Sequence, residues 1–289
     1  MNTTQYAVSD AHLHLWDTSR FTYPWMGSVR GLPELAEPAQ LPALATSSTV
    51  VVEAGVAQGS EWDERTWVYE QAQTYPWIKG FVMAADPQDP NCRNLIEKAA
   101  ADPFVVGIRY NLEGLTAGQV HTRLIEDFIV EVLEAGLVFD VCIRHRQFDE
   151  LYRLLSAVRS RTAKSYLVLD HLGKPPIATG DLEDWAKALA AFVKLPGVIG
   201  KLSGLPAEAN PDRPLIEQIV PALKVAMFLF GPERLMIGSD YPVSRVPGGY
   251  GSWRSLVRSL LTLGFTDQEV ERISRGTMHA VYGITQKED

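Results

Sequence analysis

Eight short apolar runs punctuate the chain, and most are apolar throughout rather than alternating with polar residues. They are YAVSDAHLH (6–14), TVVVEAGV (49–56), IKGFVMAAD (78–86), VVGIRYNL (105–112), GLVFDVCIR (136–144), YLVLDHLG (166–173), VIGKLSGL (198–205) and LMIGSDYP (235–242). Rich in Val and Ile and continuously apolar, they read as strands covered on both faces of a parallel sheet. Longer segments between them carry helical periodicity. SEWDERTWVYEQAQTY opens with Ser60 and has acids in its first turn, a helix start. HTRLIEDFIVEVLEAG sets Leu124, Ile125, Phe128, Ile129 and Val132 along one face and stops at Gly136. FDELYRLLSAVRS, DLEDWAKALAAFVKL and PLIEQIVPALKVAMFLFG follow the same logic, with Pro221 expected to kink or divide the last. TDQEVERISRGT is a final helix capped by Thr266 or Asp267.

Strand and helix thus alternate through 289 residues with no long linker, which predicts one domain, 1–289, folded as a single (β/α)8 TIM barrel. A doubly wound open sheet is the competing architecture, but no G-x-G-x-x-G follows the first strand. After strand one comes a long Pro- and Gly-rich segment (18–44) containing Tyr23 and Trp25. On a barrel this is an extended βα loop, either part of the catalytic mouth or a packing flap.

Composition narrows the function classes. Hydrophobic residues make up 46% and charged residues 21%, so a packed core forms without difficulty. A net charge of -8 argues against a non-specific nucleic-acid binder, which needs clustered Lys and Arg. Cys92 and Cys142 lack metal-ligand spacing and read as free thiols. No leader pattern or membrane-length apolar run is evident, so a cytoplasmic protein without membrane partners is expected. Assembly into a homo-oligomer is left open.

Barrel chemistry sits at the C-terminal ends of strands. Those ends carry His12 and His14, Glu53, Asp86, Arg109, Cys142 to His145, His171, Lys201 with Ser203, and Asp240. His12 and His14, two apart on a strand, project to one side. Asp240 beside several histidines makes a ligand set for a zinc-type ion. By strand alternation Asp170, next to His171, points the other way and supports structure. Arg109 and Lys201 either pair with acids or bind a carboxylate or hydroxyl-rich substrate. Glu53 is a supporting group, His145 either a site member or a solvated residue, and His121 and His279 structural.

DAHLHLWD with its YPWM loop, GIRYNL, LVLDHLGKPPI, KLSGL, GSDYPV and the closing YGI occur in order at strand ends. In this the chain resembles the amidohydrolase superfamily, in its amidohydrolase-2 branch, and within it sugar lactonases of the fuconolactone and rhamnonolactone type and 2-pyrone-4,6-dicarboxylate lactonase. The resemblance implies a lactone-opening hydrolase. In it His12, His14 and His171 polarise the carbonyl, alone or through one divalent ion (Zn or Mn) held with Asp240. Asp240 activates the water, and Arg109 binds substrate. His145, Tyr23, Trp25, Lys174 and Arg245 are further substrate-binding candidates. Two-metal relatives carry a bridging lysine where Arg109 and Tyr110 stand here, which argues against a two-metal centre. The RHR at 144–146 and the GTMHAVYGI ending also depart from the branch pattern. The rivals are a metal-dependent decarboxylase of the same branch, which would use His145, and a barrel that binds a ligand without turning it over.

Overall fold

Alternation inside each strand decides what the sheet encloses. The computed structural model describes residues 8–29, 31–41, 48–244, 256, 260 and 263–284. Eight strands, β1 (Asp10–Leu13), β2 (Thr49–Val52), β3 (Ile78–Ala84), β4 (Val105–Asn111), β5 (Val138–Cys142), β6 (Leu167–Leu169), β7 (Val198–Leu202) and β8 (Leu235–Ile237), pair in parallel and in sequence order. The first and last meet through a bridge between Leu13 and Tyr241, with Asp240 N donating to His12 O at 2.7 Å. This is the expected (β/α)8 barrel.

Six helices lie between strands: α1 (Glu61–Thr74), α2 (Cys92–Ala100), α3 (Arg123–Glu134), α4 (Phe148–Arg161), α5 (Glu183–Phe192) and α6 (Leu215–Phe230). The chain ends its described part with α7 (Asp267–Glu271), a π-turn and α8 (Thr277–Tyr282). Phe81, Phe139, Leu167 and Leu235 belong to the layer between sheet and helices. Their strand neighbours Val82, Val138, Val168 and Met236 fill the barrel interior, floored by Met278, Val281 and Tyr282 of α8. Above that apolar floor the interior turns polar, and there the site lies.

Some local expectations are corrected and others, the Thr266 cap and the free cysteines, are met. The helix α2 was not singled out in the sequence, because its nine residues show only a short apolar face of Cys92, Ile96 and Ala99. Pro221 does not divide α6, which runs through it as one element. Leu124 is 50% exposed, off the buried face of α3. Thr266 is the cap of α7, accepting from Glu269 N in a capping box. Cys92 and Cys142 are both buried and unpaired.

The segment after β1 is a folded flap. Trp16–Asp17 pairs antiparallel with Leu35–Ala36. Trp16, Tyr23, Ala36, Ala54 and Val56 form a separate apolar cluster. Trp25 is the latch: its Nε1 donates to Ala54 O at 2.6 Å, and the ring covers Gly55, where an added Cβ would come within 2.8 Å. Trp25→Phe keeps an aromatic ring but loses the donor and the five-membered ring that covers Gly55. It is expected to cost about 0.5–1.5 kcal/mol, read as a lower urea midpoint with an unchanged slope.

Candidate active site

His12 of β1 and His14 just after it both face inward, as their spacing predicts. His14 Nδ1 lies 3.0 and 2.9 Å from the carbonyl oxygens of Val52 and Glu53. Carbonyls only accept, so Nδ1 carries the proton and Nε2 presents a lone pair to the interior. That Nε2 is 3.1 Å from His12 Nε2 and 3.3 Å from Asp240 Oδ1.

His171 and Asp240 come from β6 and β8 on strained backbone. His171 has φ 53° and Asp240 φ 56°, and Leu172 after His171 is also left-handed. Such conformations cost about 1–3 kcal/mol each and persist where packing holds them. Trp185 contributes here, donating from Nε1 to Leu172 O at 2.9 Å. His171 Nδ1 is 2.9 Å from Ser203 Oγ, and its Nε2 is 3.9 Å from Asp240 Oδ1. With His12 Nε2 at 3.7 Å, three imidazole nitrogens surround one carboxylate oxygen.

The left-handed turn also overturns the expectation for Asp170. β6 has already ended at Leu169, so strand alternation no longer applies, and Asp170 turns inward beside His171. Its Oδ1 lies 3.3 Å from His12 Nδ1 and 3.1 Å from Lys201 Nζ, and its Oδ2 3.7 Å from Arg109 Nη1.

Burial sets the charges. It holds His12 well below the ordinary imidazole range, although Asp170 pulls the other way. It likewise brings His171 down to about 4, against the pull of Asp240 and Asp170. Burial would raise Asp240, but His171, His14 and His12 outweigh it and hold the carboxyl well below its usual range. At neutral pH the centre therefore combines an ionised Asp240 with neutral His12 and His171. Behind Arg109, burial and the nearby Glu53 push Glu64 well above the carboxylate range, while Ala54 N donates to it at 3.0 Å.

The donor set fits one divalent ion. Ligand atoms of His12, His171 and Asp240 lie within 4.8 Å of one another, and His14 Nε2 stands beside them. Each Nδ1 faces an oxygen partner that orients its ring, as ligating histidines require. A second grouping, Cys142, Asp170 and His171, is equally compact. There the ammonium of Lys201 and the guanidinium of Arg109 already stand against Asp170, which leaves no place for a further cation.

Other predicted residues stand further out. Arg109 reaches His12 Nε2 at 3.3 Å and ion-pairs with Glu53 at 2.7 Å. Lys174 is paired with Glu113, and Arg144 with Glu113 at 2.5 Å and Glu208 at 3.1 Å. His145 turns its Nδ1 to Lys174 O at 2.8 Å and stays apart from the histidine cluster. Tyr23 is 6% exposed and packs in the flap cluster. Trp16 is fully buried, donating from Nε1 to Pro33 O at 2.9 Å. His121 faces Glu126, and His279 bonds Ser48, both away from the centre. Arg245 lies outside the described residues.

Two glycines escaped the sequence reading. A Cβ on Gly204, at φ 63°, would sit 2.5 Å from His171 Nδ1 and 3.1 Å from Asp240 Oδ2. On Gly238 it would sit 2.5 Å from the His12 Cβ. Their signal was available, since both lie inside the KLSGL and GSDYPV motifs.

Comparisons with known proteins bear on fold and family. The chain is 30% identical to an L-fucono-1,5-lactonase of Burkholderia multivorans, with 97% of each chain covered. Among solved structures it is similar to an amidohydrolase from Burkholderia multivorans with bound Zn, at TM-score 0.80 and 28% identity over 96% of this chain and 99% of that one. A probable 2-pyrone-4,6-dicarboxylic acid hydrolase from Acinetobacter baumannii, solved with citric acid, shares the fold at TM-score 0.72 and 18% identity, covering 96% and 99%. No described helix is long and apolar enough to cross a membrane. The amidohydrolase family model matches residues 9–284, and the chain belongs to that family.

Proposed function

We propose that this protein opens the ring of a lactone by hydrolysis, with a neutral, hydroxylated sugar lactone of the aldonolactone type as substrate. The observation that carries the reading is the convergence of three imidazole nitrogens on Asp240 Oδ1 at 3.3 to 3.9 Å. A carboxylate kept ionised beside neutral imidazoles suits water attack on a carbonyl.

Asp240 accepts a proton from water as its oxygen bonds to the ring carbonyl carbon. His12 and His171 face the carbonyl oxygen, where negative charge develops, while the bare Nε2 of His14 is suited to holding a cation beside it. The tetrahedral centre then collapses, the ring C–O bond breaks, and Asp240 returns its proton to the departing alkoxide. The product is an open-chain hydroxy acid, which releases one proton to solvent. One divalent ion, Zn or Mn, held by His12, His14, His171 and Asp240 would add Lewis-acid polarisation of the carbonyl. The reading extends what the relatives' name suggests, an L-fucono-1,5-lactone or a stereoisomer of it.

Charge selects between lactone classes. Among the described residues Arg109, Lys201, Arg144 and Lys174 are each ion-paired with acids, which leaves none of these four cations for an anionic substrate. Like charge forced together costs several kcal/mol. A pyrone dicarboxylate is therefore expected to turn over at least about 10²-fold less efficiently than an aldonolactone. An indicator assay of both classes checks this, and equal kcat/KM for the dicarboxylate would refute the neutral-substrate reading.

Decarboxylation is the weaker alternative, because His145 faces the Lys174 carbonyl and not the cluster. Carbon dioxide release from an aromatic acid, without base uptake on lactones, would establish it. Tight binding of one lactone without turnover would favour a silent binding barrel.

A further inference from the structure

Beneath the histidines lies a buried ammonium that the reaction does not consume. Lys201 of β7 is fully buried. Its Nζ donates to Asp140 Oδ2 of β5 at 2.5 Å, faces Asp170 Oδ1 at 3.1 Å, and lies 3.2 Å from His12 Nδ1. Tyr282 of α8 holds Asp140 from the other side, its hydroxyl 3.0 and 2.9 Å from the two carboxylate oxygens. A chain of hydrogen bonds thus runs from Tyr282 in the barrel floor up to the first histidine of the site.

An ammonium only donates. With Lys201 donating to Nδ1, a neutral His12 carries its proton on Nε2. That nitrogen is 3.1 Å from His14 Nε2, which is bare because the His14 proton faces the Val52 and Glu53 carbonyls. Only this tautomer closes a His12-to-His14 hydrogen bond, since the other sets two lone pairs against each other. One contact opposes the assignment: Arg109 Nη1, 3.3 Å from His12 Nε2. The Glu53 pair at 2.7 Å uses Arg109 Nε and leaves this Nη1 contact in place.

We propose that Lys201, clamped by Asp140 and Tyr282, is a positioning residue that directs the His12 proton to Nε2 and so towards the reaction centre. In protein without an ion, His12 Nε2–H then turns from His14 Nε2 to the reacting carbonyl oxygen when substrate binds. It serves as a cation ligand only after its proton moves to Nδ1, where Asp170 is the acceptor at hand.

Protein with 15N-labelled histidine, stripped with chelator, tests this by long-range 1H–15N correlation at neutral pH. The chain has six histidines, and a His12→Asn sample identifies the resonance. The expected wild-type signature is a protonated Nε2 and a bare Nδ1 on His12. In Lys201→Met the proton should move to Nδ1, with kcat about 10–100-fold lower and KM little changed. A wild-type His12 protonated on Nδ1 overturns the proposal, whether or not the variant folds. So does a folded Lys201→Met with the wild-type tautomer. The spectrum is independent of turnover, so failure of the lactonase reading leaves this test intact.

Discussion

Asn in place of Asp240 is expected to lower kcat/KM for lactone opening by about 10²–10⁴, the usual contribution of a positioned base. The amide keeps the shape of the carboxylate but cannot take a proton from water. The fold should tolerate the change, because Asn is among the residues that accept the left-handed φ of 56° found there. The backbone bonds of residue 240, to His12 O and from Ser244 N, both at 2.7 Å, do not depend on the side chain. Melting temperature should therefore shift by no more than about 5 °C. Initial rates and a thermal melt on the same preparation check both halves. Activity near wild type would remove Asp240 from the role of base.

An equally large loss is expected from a residue with no functional group. Gly204→Ala places a methyl 2.5 Å from His171 Nδ1 and 2.8 Å from its Cγ, at a backbone φ of 63°. The imidazole must move or the loop must shift, and Asp240 Oδ2 at 3.1 Å blocks one escape. Displacing a reacting group by about 1 Å costs on the order of 10²-fold in rate. The expected result is a folded protein with kcat reduced by about that factor, measured beside Ala substitution at Gly114. There φ is not left-handed and no atom lies within 4 Å of the added Cβ. If Gly204→Ala retains full rate, the close packing of loop and histidine is not what sets the geometry.

The barrel was legible because its signals are local. Each strand is a short apolar run ending in a polar residue, and His12 of β1 and His14 after it obey the two-residue period. Asp170 was misjudged because the period stops where β6 stops, and a left-handed His171 leaves no mark in residue order. The pairing of Lys174 and Arg144 with Glu113 and Glu208 joins loops far apart in sequence, so residue order alone could not show that Lys174, a substrate-binding candidate, is ion-paired. Lys201 posed the same problem in reverse. Its motif was visible, but its partners Asp140, Asp170 and Tyr282 come from three other elements. The helix α2 was too short to show a clear apolar period.

The central claim is that a carboxylate ringed by three imidazoles splits a lactone with water. Its most direct test is acid release from L-fucono-1,5-lactone and its stereoisomers in H2 18O, with Asp240→Asn correcting for spontaneous opening. The account predicts one proton and one labelled carboxylate oxygen per ring opened, at a rate far above the variant. Wild type and variant opening every such lactone at the uncatalysed rate would contradict it.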